Sequence, residues 1–296
     1  MIVLKYIIDT DPGIDDAIAI MLGYLNNLDI IGFTLATGNI RKELSANNLK
    51  TIQDILGSNI KMYEGEKDNN CDINRAEHAH GNDGLGNIFM PKSLRKFENI
   101  SAEDFIIDSA NKYKDNLTII CLGPLTNLAS ALKKDKNLCK KIKHIVIMGT
   151  TYNPETDDIY KEFNIRIDPI SAKEVFNANF EDIKLITHEI GVKSYIEKEY
   201  ITSLRESKSK ISKFVYLISQ KYMEFSYEHY KTNGLGTPDP TTIGYVLNNN
   251  IIKFKPCNIE IKDDLSIVTL TGESNIHVSV DFDIELFRDL FKNTFN

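Results

Sequence analysis

Tryptophan is absent from the 296 residues, and cysteine occurs only at positions 71, 121, 139 and 257, with no C-x-x-C pair. So few and so scattered, Cys71, Cys121, Cys139 and Cys257 read as small buried hydrophobes of a reducing compartment, which excludes a zinc ribbon or a disulfide scaffold. Long apolar runs are missing too: nothing approaches the roughly 18 residues of a membrane span. The run from Ile2 to Ile8 is broken by Lys5 and ends in Asp9, Asp11 and Pro12 instead of a small-residue cleavage site, so a secretory leader is not expected and the cytoplasm is. Positive charge is in the minority, with 35 basic against 42 acidic residues and a net charge of −7. That balance works against a phosphate-binding surface, so neither nucleic acid nor a membrane is an expected partner and a small molecule is.

What is present is an ordinary globular balance, 42% hydrophobic and 26% charged, in a length that suits one large domain. Val3 to Ile8 is an apolar run that enters Asp-Thr-Asp-Pro-Gly, and Ile14, Ala17, Ile18, Met21, Leu22 and Leu25 follow with helical spacing. The alternation of apolar run and amphipathic helix returns at Ile30 to Ala36, Arg41 to Leu56, Ile60 to Tyr63, Ala102 to Tyr113, Leu117 to Leu122, Pro124 to Lys133, His144 to Met148, Pro169 to Phe176 and Ile183 to Thr187. It predicts an α/β fold, a doubly wound, mostly parallel central sheet with flanking helices. Glu64 to Glu98 and Gly149 to Lys161 read as long functional loops. A long amphipathic helix begins at Ile211 and stops near Gly234, and Asp239 opens another. Three alternating stretches, Asn258 to Ile261, Ser266 to Leu270 and Asn275 to Val280, predict a small C-terminal β-meander before a closing helix at Ile284 to Phe291. With no linker or repeat, residues 1–296 are expected to be a single domain.

Ligands of open α/β sheets sit outside the carboxyl ends of the strands, where this chain places Asp9, Asp11, Asp15 and Asp16. Four carboxylates within eight residues repel one another unless a cation, a shared proton or solvent intervenes. A solvated turn with an Asp helix cap is the bland reading. An all-oxygen site for Ca²⁺ or Mg²⁺ is the sharper one. Asp9-Thr10-Asp11 also fits the D-x-D opening of haloacid-dehalogenase-type phosphotransferases, but Gly13 stands where those need Thr or Val.

The whole run DTDPGIDDA, Asp9 to Ala17, resembles the signature of the inosine-uridine type nucleoside hydrolases. The resemblance continues in that family's order through TGN (Thr37–Asn39), HGNDGLG (His80–Gly86), LGPLTN (Leu122–Asn127), IMG (Ile147–Gly149), EFN (Glu162–Asn164) and PDP (Pro238–Pro240). It implies a Ca²⁺ site made by Asp11, Asp16, Asp239 and the backbone carbonyl of Leu122, with Mg²⁺ the less favoured ion. It also implies that Asp11 takes the proton of an attacking water and that Asp15 and Asn164 hold the 2′- and 3′-hydroxyls of a ribose. Asn39 and Glu162 would line the sugar pocket, Met148 would pack against the ribose, and Asp9 would orient the loop. A homodimer or homotetramer is implied as well.

Several positions depart from the pattern. Pro238 stands where related enzymes have a His that protonates the departing base, and the Trp of another branch is ruled out by composition. His80 is the first substitute as acid, and Tyr227, His229 and Tyr230 lie where relatives carry a mobile lid. Thr156 replaces an Asn expected at the 5′-hydroxyl, and Arg166 replaces an aromatic. Arg166 could pair with Asp157, Asp158 or Asp168; alternatively, with Lys161 or Thr156, it could receive a 5′-phosphate. The expected function is metal-dependent hydrolysis of a ribonucleoside to base and ribose. A modified nucleoside, or a 5′-phosphorylated one such as queuosine 5′-phosphate, would explain the altered pocket, and a non-catalytic ribose or ADP-ribose sensor is the alternative of another class.

Overall fold

The computed structural model describes residues 4–65, 75–152 and 162–296. Six parallel strands form one continuous part of the sheet, with β3 at its edge: β1 (Lys5–Thr10), β2 (Ile30–Leu35), β3 (Met62–Glu64), β4 (Leu117–Cys121), β5 (His144–Met148) and β6 (Asp182–Ile186). Their spatial order is β3-β2-β1-β4-β5-β6. These strands are apolar runs because both faces of the sheet are covered. Side chains alternate along each strand, so Ile8, Ile120 and Val146 enter the core on one face while Ile7, Ile119 and Ile145 enter the core on the other. β3 begins two residues later than its sequence suggests, since it is Met62 that registers with Phe33 of β2 and the Ile60 carbonyl accepts from Gln53 Nε2.

Helices α1 (Ile14–Leu25) and α2 (Lys42–Leu56) lie on the first face, and the short α3 (Glu77–His80) falls within the expected Glu64 to Glu98 loop. On the opposite face pack α4 (Ala102–Tyr113), α5 (Thr126–Lys134), and, after α6 (Phe163–Ile167), α7 (Pro169–Phe176). The chain then returns to the first face with α8 (His188–Lys193), the two-residue strand β7 (Ile196–Glu197), α9 (Lys198–Ser203) and α10 (Lys210–Tyr230). Strand β8 (Gly234–Leu235) pairs antiparallel with β7 and leads into α11 (Pro238–Leu247), whose first residue is a proline, the position where a missing N–H costs nothing. Helix α1 is buried nearly all round between the sheet, α2, α10 and α11. No described helix is long and apolar enough to cross a membrane.

The C-terminal strands correct the expected meander. β9 (Ile252–Lys262) lies between β10 (Leu265–Leu270) and β11 (Ile276–Phe282), and β11 runs parallel to β6, so the main sheet continues β6-β11-β9-β10. Without β11 the buried strand β6 would be a bare edge. β11 closes it with Val278 and with Ser279, whose Oγ accepts from the Thr187 amide, and the half-exposed hairpin β9–β10 becomes the rim. The closing helix α12 (Ile284–Phe295) is anchored by Phe287, Phe291 and Phe295, four residues apart and fully buried, with ring centroids 6.1 and 4.7 Å apart in succession. Phe291→Ala is expected to lower stability by about 3–5 kcal/mol. A fall in the denaturant midpoint at constant m value is the readout; an unchanged midpoint contradicts this packing.

The strand order places the topological switch point between β1 and β4, because the chain winds outward from β1 through β2 to β3 and then returns to β4. A crevice opens there at the carboxyl ends, bordered by the residues that leave β1, β2, β4 and β5.

Candidate active site

Asp9 and Thr10 end β1, and Asp11 lies just beyond it; all three are fully buried. Asp9 points under the site, where its Oδ1 accepts from Thr34 Oγ1 at 2.5 Å and from Asn127 Nδ2 at 2.8 Å. Asp11 projects into the crevice between Gly38 and Gly123, and an added Cβ at either glycine would overlap its carboxylate. Its Oδ2 accepts from the Asn39 amide at 2.7 Å, while Oδ1 is buried without a hydrogen-bond partner. Asp16, in the first turn of α1, accepts from Thr10 Oγ1 and the amides of Asp11 and Gly13, and Asn39 Nδ2 bridges it to the Asp11 carbonyl. Asp15 faces Tyr222, whose hydroxyl donates to its Oδ2 at 3.5 Å, and its Oδ1 has no hydrogen-bond partner.

Far stretches of chain complete the pocket. Asp239, buried in the first turn of α11, has a carboxylate oxygen within 4.8 Å of oxygens of Asp15 and Asp16. Asn164 Nδ2 donates to the carbonyl of Leu122 at 2.7 Å and to that of Met148 at 3.2 Å, tying together the exits of β4 and β5. A carbonyl has two lone pairs, so Leu122 keeps one for another partner. Glu162 caps α6 by accepting from the amides of Asn164 and Ile165, and it also receives the Thr150 amide. One cavity is lined by Asp15, Asn39, Leu122, Met148, Asn164 and Asp239, and by His80, Glu162 and Arg166. Of the expected carboxylate ligands, Asp16 and Asp239 converge together with Asp15, and Asp11 lies close enough to act electrostatically on Asp239.

The opposite wall is made of rings. His80 stacks near Tyr222 (centroids 5.2 Å), Tyr222 near Phe225 (5.7 Å), Phe225 near Tyr230 (5.8 Å) and Tyr230 near His188 (5.4 Å). His80 Nδ1 accepts from the Ile14 amide at 3.1 Å, supplying the helix cap that Gly13 cannot. Burial pushes its imidazole down to about 4, and with Nδ1 accepting from the Ile14 amide the neutral ring carries its proton on Nε2. Two expectations fail. Tyr227 is 61% exposed, because it lies five residues beyond Tyr222 and so turns to the outer side of α10, and His229 is exposed, packed over Phe225 and outside the cavity lining. Arg166 lies over the Phe163 ring at 5.2 Å, and among the described residues it forms no ion pair, with Asp168 in particular capping α7 and accepting from Thr126 Oγ1. Thr156, Asp157, Asp158 and Lys161 lie outside the described residues. His78, His188, Tyr222 and Phe225 line the cavity without having been expected there.

Electrostatically the pocket is a cage of carboxyl groups without a basic partner among the described residues other than Arg166 at its edge. Burial, reinforced by the other carboxylates, pushes Asp11 and Asp239 well above the usual range. Burial, with smaller contributions from the charges of Glu103 and Asp16, pushes Asp9 up to about 7, and burial alone pushes Glu162 up to about 7 and Asp15 up to about 6, despite the hydrogen bonds each accepts. The orphaned oxygens of Asp11 and Asp15 and the all-oxygen donor set fit a hard divalent cation. In its absence the folded chain keeps protons that the unfolded chain releases near pH 4, so stability falls as pH rises from about 4 to about 7. Thermal unfolding of chelator-treated protein is expected to have a lower midpoint at about pH 8 than at about pH 5.5. An equal or higher midpoint at the alkaline end would mean that the carboxylates are balanced in some other way.

The sequence profile of the inosine-uridine preferring nucleoside hydrolase family matches residues 6–289, nearly the whole chain. The chain belongs to that family. This nucleoside hydrolase is 31% identical over 261 residues to uridine nucleosidase 1 of Arabidopsis thaliana, covering 85% of this chain and 76% of the relative. It is 28% identical over 272 residues to the inosine-uridine preferring nucleoside hydrolase of Leishmania major, covering 88% and 85%. The solved structure of a purine-preferring ribonucleoside hydrolase from Gardnerella vaginalis superposes with a TM-score of 0.89 at 28% identity, over 98% of both chains. The nucleoside hydrolase is therefore an enzyme of the N-glycosidic bond on a mostly parallel α/β sheet, and its substrate class is small-molecule nucleosides.

Proposed function

We propose that this hydrolase splits a ribonucleoside into base and ribose with a divalent cation, calcium before magnesium, held by Asp11, Asp16, Asp239 and the Leu122 carbonyl. The observation that carries the reading is a set of buried carboxylates, two with orphaned oxygens, converging at the switch point of the sheet. A cation bound there would offset their repulsion and acidify a water molecule. Asp11, fixed by the Asn39 amide and raised in proton affinity, accepts the proton of the attacking water. Asp15 and Asn164 hold the 2′- and 3′-hydroxyls, Asn39 and Glu162 border the sugar, and Met148 packs against it. The negative wall then stabilises the positive charge that develops on the ribosyl carbon as the base departs. We place the enzyme in the cytoplasm as a homo-oligomer.

Reducing-sugar release across natural and modified nucleosides tests the reading: equimolar base and ribose are expected from at least one, and no release from any would overturn it. The sensor alternative is favoured by the missing donor at Pro238 and opposed by the retention of Asp11, Asp15, Asp16, Asn164 and Asp239. A 5′-phosphorylated substrate has a feature of the site in its favour, since Arg166 borders the cavity over Phe163 without an ion pair among the described residues. Each nucleoside assayed beside its 5′-monophosphate decides the point. A preference for the phosphate that Arg166→Ala removes supports the second reading, and no such preference dismisses it.

A further inference from the structure

The two ends of the ring wall differ. At one end His80 and Tyr222 are committed to the carboxylate side: His80 Nδ1 takes the Ile14 amide and lies 3.7 Å from Asp15, and the Tyr222 hydroxyl donates to Asp15. At the other end stands His188, the first residue of α8, one position past the Thr187 that follows β6. Helix α8 is seated on the start of α11, so closely that a Cβ on Gly191 would lie 2.6 Å from Pro238 Cβ. His188, Tyr230, Pro238 and Asp239 border the same cavity, with the half-buried imidazole against the Tyr230 ring.

Breaking the C1′–N bond sends its electron pair onto the base, which departs slowly unless a donor meets the negative charge. The carboxylates serve the opposite charge, on the sugar. Pro238 has neither a side-chain donor nor a backbone N–H to offer. We propose that His188, oriented by Tyr230, donates the hydrogen bond that receives the departing base, supplying from the end of β6 what Pro238 cannot supply from the start of α11. The inference rests on the hydrolytic reading above. In the step, the water oxygen bonds to C1′, the water proton goes to the Asp11 carboxylate, the C1′–N electron pair goes to the base, and the base takes a proton from solvent on release. Burial pushes His188 down to about 4, so it acts through the N–H of a neutral ring.

The test compares His188→Phe, which keeps a ring, and His188→Asn, which keeps a donor, on two substrates. One is whichever nucleoside of the natural and modified panel above the wild type cleaves fastest. The other is p-nitrophenyl β-D-ribofuranoside, whose leaving group departs as a stable anion without help. His188→Phe is expected to lower kcat for the nucleoside about 100-fold and for the aryl riboside less than about threefold, with His188→Asn recovering part of the loss. Equal losses on both substrates, or no loss on the nucleoside, overturn the proposal. A wild type that cleaves no nucleoside of that panel overturns the hydrolytic reading and this inference with it.

Discussion

Asp11→Asn is expected to lower kcat/KM by at least about 10³-fold while leaving the cation-free protein as stable as the wild type or more so. The two effects have one origin. Asp11 is fully buried, one of its oxygens accepts no hydrogen bond, and Asp15 and Asp16 add their repulsion to the cost of burying its charge. Asn preserves the shape and can still accept the Asn39 amide, but it removes the charge and cannot take a proton from water. A carboxylate retained for packing would behave in the opposite way, with stability lost on substitution and turnover kept. Turnover within tenfold of wild type would therefore remove Asp11 from the chemistry.

Gly38→Ala and Gly123→Ala are expected to cost at least about 100-fold in kcat/KM, because displacement of a positioned catalytic group by an ångström is enough to do so. Neither glycine touches a sugar through a side chain. An added methyl at Gly38 would meet Asp11 Oδ2, and one at Gly123 would meet Asp11 Oδ1, with Pro124 blocking retreat at Gly38. Gly272, where an added methyl meets nothing within 4 Å, is the control and is expected to leave kcat/KM unchanged as Ala. Full activity in both active-site variants, with circular dichroism unchanged, would show that the position of Asp11 is not critical.

The parallel core was legible because its strands are mostly apolar runs, which a sheet covered on both faces requires. The order of the C-terminal strands was not, since alternation within Asn275 to Val280 says that it is a strand and not that it will pass over β9 to cover β6. In the site, the acidic loop after β1 announced itself through the density of Asp at a strand end. Tyr222 and Phe225 were visible only as steps of an apolar stripe on α10, a stripe that is core along most of its length and pocket wall in its last turns. The same geometry misplaced Tyr227, which shares their neighbourhood in sequence and the opposite side of the helix in space. His188 had a signal that could have found it: it follows a parallel strand at its carboxyl end, where side chains meet ligands. His80 shows the converse, a histidine placed correctly at the pocket whose Nδ1 is engaged by the Ile14 amide.

The most direct measurement of the whole account is ribose release by chelator-stripped protein before and after Ca²⁺ is returned, run beside Asp239→Asn. Oxygen donors from β1, α1, the exit of β4 and α11 converging on one ion predict that stripping abolishes turnover, that Ca²⁺ restores it, and that Asp239→Asn needs far more Ca²⁺ for the same recovery. Full-rate hydrolysis by the stripped protein, unaffected by the substitution, would contradict it.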